Sequence, residues 1–136
     1  MSPTERAVRL YNRVMAAHER SATDTVQMFA PMAIAAYQML GDLNSDQRYD
    51  LGRIAAVSGQ AGLAKAQSDS ILATQPNHLL GLILAEDAAR MRHDDAAVRA
   101  YHAKLVAAAP AERAKQLPEY TEHANDITLA LGQKLP

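Results

Sequence analysis

Apolar residues in this chain return every three or four positions, and no segment alternates apolar and polar in steps of two. Steps of three and four place side chains on one face of an α-helix, whereas a half-buried strand needs strict alternation. The first such stripe is Ala7, Val8, Tyr11, Val14, Met15 and His18. A second runs Val26, Phe29, Ala33, Tyr37 and Leu40, and a last one Leu117, Tyr120, Ala124, Ile127 and Leu131. Composition agrees with helices. Of the 136 residues 28 are alanine, aromatics make up 4%, there is no tryptophan, and Phe29 is the one phenylalanine. Strands favour aromatic and β-branched residues, while alanine propagates helices and lets them approach closely. The expected class is all-α, and the length is that of a single domain, residues 1–136, able to bury its own core.

Punctuation sets the predicted helices. Ser2-Pro3-Thr4-Glu5 has a cap residue, a proline at the first helical position and a glutamate three residues after the cap. Polar residues Ser21 to Asp24 break the first stripe, and Gly41 ends the second. Pro31 lies inside that second stripe and is expected to kink the helix or start its longer half, since it offers no N–H to residue 27. Asn44, with Gln47 three residues on, opens a third helix that Gly59 closes. A fourth covers 61–74 and stops before Pro76. Asn77 is expected to cap a fifth over 78–92, and Asp94 a sixth that ends near Ala108. Pro110 is read as the start of a short seventh helix and Pro118 of an eighth ending at Gly132. Seven or eight helices on short connections follow.

Several function classes are disfavoured. With 14 basic and 15 acidic residues the formal net charge is −1, which is not the basic surface that a nucleic-acid binder needs. There is no cysteine, hence no disulfide, thiol nucleophile or thiolate metal site. No apolar run approaches the ~20 residues of a membrane span, and MSPTERAVRL has no apolar core of a signal peptide. The default expectation is a soluble cytoplasmic chain, or a periplasmic or tethered one if a signal or anchor preceded Met1. The glycines are isolated, with no phosphate-cradling loop and no G-x-S-x-G elbow. Glu86 and Asp87 are neighbours on a helix and point apart, so the expectation is no enzyme and no cofactor. Among five histidines there is no H-x-x-x-H pair. Glu119 and His123, four apart, are read as a surface ion pair, so no metal site is expected. Asp94 beside His93 is read as a cap. Met28, Met32 and Met39 are read as core fillers, and Tyr11 and Tyr37 as anchors of the first hairpin.

A repeat is also visible. Leu51-Gly52 answers to Leu84-Ala85, Ala64 to Ala97, Ser68 to Tyr101 and Leu72 to Leu105, each offset by 33, with one residue inserted before Pro110. The run from Ser45 to Pro76 resembles a tetratricopeptide repeat (TPR), with Leu51-Gly52, Gly59, Ala64 and Pro76 at that family's places. A weaker copy spans 78–110, with Arg92-His93 in place of the turn glycine. Gly52 and Ala64 are small where the two helices of a hairpin come closest, and Ala97 and Ala100 are expected to do the same in the second copy. The resemblance implies a TPR-like α-solenoid of antiparallel hairpins. Residues 1–43 form an atypical N-terminal hairpin, 45–76 and 78–110 the two repeats, and 111–136 the C-terminal capping helices.

What the resemblance implies for function is a non-catalytic interaction module, an adaptor or assembly helper of the kind found on both sides of bacterial membranes. It would hold a peptide or partner helix in a concave groove. The groove-facing places fall on Tyr49, Asp50 and Arg53, with Ala56 and Val57, and on Leu82, Ile83, Glu86 and Arg90, with Ala89. The lysine and asparagine set by which some TPR domains grip a C-terminal carboxylate is absent, since Tyr49, Asp50 and Arg53 stand there. The rival expectation is a self-assembling helical array or dimer. It turns on whether Leu117, Tyr120, Ile127 and Leu131 pack on the chain's own sixth helix and close that end, or stay free.

Overall fold

The computed structural model describes all residues, Met1–Pro136, as eight α-helices without a strand. They are α1 (Pro3–Glu19), α2 (Thr23–Gln38), α3 (Ser45–Val57), α4 (Ala61–Thr74), α5 (Leu79–Met91), α6 (Asp95–Ala114), α7 (Pro118–Glu122) and α8 (Ala124–Leu131). No helix is long and apolar enough to cross a membrane.

Local chemistry accounts for most of the boundaries. The Ser2 hydroxyl accepts from the Glu5 N–H at 3.1 Å while the Glu5 carboxylate accepts from the Ser2 N–H at 3.2 Å. Asn44 and Gln47 do the same for α3, at 2.8 and 3.0 Å. Each box satisfies two backbone donors that the first turn leaves without a partner. Asp94 caps α6 by accepting from the Ala97 N–H at 3.1 Å. The cap of α5 is His78, not Asn77: its Nδ1 accepts from the Leu80 N–H at 3.3 Å.

One of the two internal prolines departs from expectation. Both α2 and α6 run on through Pro31 and Pro110, so Pro110 starts no helix of its own. Each proline is exposed, and so are Gln27 and Val106 four residues before. The carbonyls that lose a donor therefore lie where water replaces it. The helix count still reaches eight because the last predicted helix is broken at His123, whose backbone (φ −111, ψ 27) leaves the helical region.

After α3 and α5 the chain turns through the left-handed region, at Gly59 (φ 85) and His93 (φ 56) respectively. A histidine does in the second place what glycine does in the first, against the steric preference of its Cβ.

From α1 to α6 each helix packs on the next, and α3 packs on both α1 and α5, so α1, α3 and α5 form a row that α8 joins by resting on α5 and α6. The starts of α3 and α5 are 34 residues apart, as are those of α4 and α6. That spacing replaces the 33-residue frame and its late insertion. Ala64, Ser68 and Ile71, buried in α4, correspond at that spacing to Val98, His102 and Leu105, buried in α6. Ala97 is only half-buried and Ala100 exposed, so Val98 takes the close place expected of them. Gly52 is small for α5, not for its hairpin partner α4. A Cβ there would lie 2.5 Å from Leu84 Cδ1. Ala55, Ala64 and Ala88 make a buried triplet where α3, α4 and α5 meet.

Two larger apolar clusters flank that triplet. One joins α1 and α2 to α3 through Ala7, Tyr11, Val14, Val26, Ala33, Ile34, Tyr37, Leu51 and Ile54. The other gathers Tyr49, Ile71, Leu79, Leu80, Leu82, Leu84 and Leu105 with Tyr120, Ile127 and Ala130 of the last helices. Leu117 and Leu131 pack against its edge. The apolar faces of α7 and α8 thus lie on the chain's own α5 and α6, and this end is covered. Tyr11 and Tyr37 are core residues as expected. Met28, Met32 and Met39 are not: all three are exposed along the outer face of α2.

Candidate functional site

Of the seven residues singled out as partner-binding on α3 and α5, most are already engaged within the chain. Tyr49 is fully buried, and its hydroxyl donates to Asp126 Oδ2 of α8 at 2.7 Å. Arg53 Nη1 donates to Asp87 Oδ2 of α5 at 3.0 Å, linking two positions one 34-residue step apart, while its Nε is buried without a partner. Arg90 Nη2 donates to the Lys134 carbonyl at 3.1 Å, fastening the C-terminal tail to α5. Leu82 belongs to the buried cluster of α5. The Glu86 carboxylate is buried between His102 Nδ1 of α6 (3.0 Å) and Arg90 Nη2 (3.0 Å). Ile83 is buried at the floor of a cleft of about 400 Å³, which His18, Arg53, Asp87, Leu129 and Gln133 also line.

The C-terminal helices therefore meet α3 and α5 themselves, and they do so through polar links. The Tyr120 hydroxyl accepts from the Leu79 N–H at 3.0 Å and donates to Glu112 Oε1 at 2.7 Å. One side chain of α7 thereby satisfies a first-turn donor of α5 and a buried carboxylate of α6. His78 Nε2 lies 2.9 Å from Glu119 Oε2.

The most concentrated group surrounds Asp50. Its Oδ2 accepts from the Tyr37 hydroxyl at 2.8 Å. Its Oδ1 lies 3.2 Å from His123 Nε2, without a hydrogen bond, and is buried. His123 Nε2 donates instead to Asp46 Oδ1 at 2.8 Å. The imidazole ring is held edge-on between Tyr49 and Tyr11, with centroids 4.6 and 6.2 Å away. Burial works against a charged ring here, but the hydrogen bonds and charges of Asp46 and Asp50 outweigh it and push the His123 pKa up to about 9. Burial raises Asp50 above the usual carboxylate range, and His123 and Tyr37 counter this only in part. Burial likewise raises Asp87, against the pull of Arg53. The cluster can hold a proton between α8 and α3, and its three donor atoms (Asp46, Asp50 and His123) lie within 4.8 Å of one another.

The sequence reading placed Glu119 and His123 together on one helix face. The break at His123 separates them, sending Glu119 to His78 and His123 to α3. What it passed over is the pair Asp46 and Asp50, four apart and so on one face of α3. That spacing was a usable signal. Their histidine, 77 residues from Asp46, had none. Comparison with protein-family models, with curated proteins and with solved structures gives no match in any of the three.

Proposed function

We propose that this chain is a non-catalytic protein-interaction module, a TPR-like stack of hairpins whose concave face receives a helix or peptide. The observation that carries the reading is the occupancy of that face. Tyr49 and Arg90 already bind helical and tail segments of the same chain, through Asp126 and the Lys134 carbonyl. A face that accommodates α8 has the shape and polarity to take a similar segment of a partner. The partner either fills the cleft above Ile83 beside Leu129, which is 64% exposed, or displaces α8.

The test compares full-length wild type with Asp126→Lys, which removes the Tyr49 bond and loosens α8 at a half-exposed position. Increased capture of host proteins by the variant, competed by a synthetic peptide of residues 118–136, is the expected result. Capture that neither rises in the variant nor yields to the peptide would sink the groove assignment.

A second reading, self-association, is favoured by one observation: Met28, Met32 and Met39 form an exposed stripe on α2, and methionine surfaces pack adaptably. Since α7 and α8 cover the other end, a dimer would form through α2. Sizing over a range of concentrations checks it. A dimer abolished by Met32→Lys supports this reading, and a monomer at every concentration excludes it.

A further inference from the structure

We propose that Asp46, Asp50 and His123 form a binding site for a divalent transition-metal cation of the zinc type, which ties the start of α8 to α3. Three independent features lead there, none of which depends on the interaction reading.

The first is geometry. Around an ion with bonds of about 2.0–2.2 Å, adjacent ligand atoms stand roughly 3.0–3.5 Å apart. His123 Nε2 lies 2.8 Å from Asp46 Oδ1 and 3.2 Å from Asp50 Oδ1, so small side-chain movements open the three donors around a cation.

The second is an unanswered acceptor. Asp50 is 6% exposed, and its Oδ1 is buried without a hydrogen bond while aimed at His123. The single Nε2 proton of His123 goes to Asp46, and no other donor reaches Asp50 Oδ1. Buried carboxylate oxygens without a partner are costly. A cation replacing that one proton would serve all three donors at once.

The third is support around the donors. The Tyr37 hydroxyl fixes Asp50 through its other oxygen, and Tyr11 and Tyr49 fix the plane of the imidazole. Such outer contacts orient metal ligands and tune their affinity. Asp126 Oδ2 stands 3.9 Å from His123 Nδ1, so three carboxylates surround the ring, with Arg53 the cation on the same face of α3.

Solvent reaches the group from two sides. A cleft of about 460 Å³ is lined by Asp46, Glu119 and Glu122, and one of about 330 Å³ by Tyr11, Glu122 and His123. The Asp46 side chain is 40% exposed, which leaves the remaining coordination positions to water. One imidazole with two carboxylates suits zinc, cobalt or manganese, whereas calcium takes six to eight oxygens.

The experiment strips the full-length protein with chelator and titrates it with zinc chloride by calorimetry. Cobalt(II) is added in parallel as a visible-absorption probe, with magnesium and calcium as controls. Expected are saturation at one zinc per chain, cobalt bands marking a nitrogen ligand, and no comparable binding of magnesium or calcium. Asp46→Asn should weaken zinc at least about tenfold, and His123→Gln should abolish the cobalt bands. Asp50→Asn and His123→Gln alter packed positions, so the half-exposed Asp46→Asn, with helicity verified by circular dichroism, carries the decision if either fails to fold. A folded wild type without saturable zinc binding overturns the proposal, and so does zinc binding that survives Asp46→Asn unchanged.

Discussion

The N-terminal hairpin meets α3 through alanine, valine, isoleucine and tyrosine side chains, with one buried side-chain hydrogen bond, from Tyr37 to Asp50. The C-terminal pair α7–α8 meets the body of the protein differently. Its apolar residues Tyr120, Ile127 and Ala130 are joined by polar links from Glu119 to His78, Tyr120 to Glu112, His123 to Asp46 and Asp126 to Tyr49. Apolar burial scales with area and ignores pH, whereas each polar link depends on a partner and on protonation. The two ends should therefore respond to different perturbations, even where their cores cost the same to damage.

The largest effect tests whether the ends are equally well packed. Ile54→Ala in the first cluster and Ile127→Ala in α8 should each cost about 2–4 kcal/mol in urea unfolding. A negligible loss for Ile127→Ala would mean that α8 is not part of the cooperative core. Next is Tyr120→Phe, which leaves the Leu79 N–H and a Glu112 oxygen without their partner. About 1–3 kcal/mol should be lost, with little change in the near-ultraviolet signal of the N-terminal hairpin.

The pH response sharpens the contrast. With chelator present, His123 titrates near 9 in the folded protein and near 6.5 unfolded. Its contribution is fully present below about pH 6.5 and is lost as pH rises through about 9. Burial opposes the charged ring, and Asp46 and Asp50, with Asp126 Oδ2 at 3.9 Å from Nδ1, favour it. Stability should fall by about 1–2 kcal/mol across that window after allowance for solvent screening. His123→Gln should flatten the curve, and an equally steep curve in that variant would assign the effect elsewhere. The smallest effect has the opposite sign: His93→Gly relieves a left-handed backbone and should raise stability by about 0.5–1 kcal/mol. Thermal melts at neutral pH can resolve it.

Helix class and most boundaries were readable residue by residue. Ser2 with Glu5, Asn44 with Gln47, and Asp94 each complete their hydrogen bonds within three positions, so a short stretch of chain contains both partners. Pro110 misled because a proline stops a helix only where the lost carbonyl bond cannot be replaced by water, and exposure is not written in local sequence. The exposed methionines of α2 misled for the same reason.

The candidate site was legible in part. The residues named on α3 and α5 were expected to meet a partner, and the chain's own C-terminal segment engages Tyr49 and Arg90 among them.

By itself, then, the sequence determined the helical class and most of the helix starts, because caps and stripes are satisfied among near neighbours. Only tertiary structure decided that Arg53 meets Asp87, that Tyr120 serves α5 and α6 at once, and that His123 reaches Asp46 across 77 residues of chain. Those partnerships depend on distances of about 3 Å between helices far apart in sequence. Such distances exist only after the apolar faces have packed.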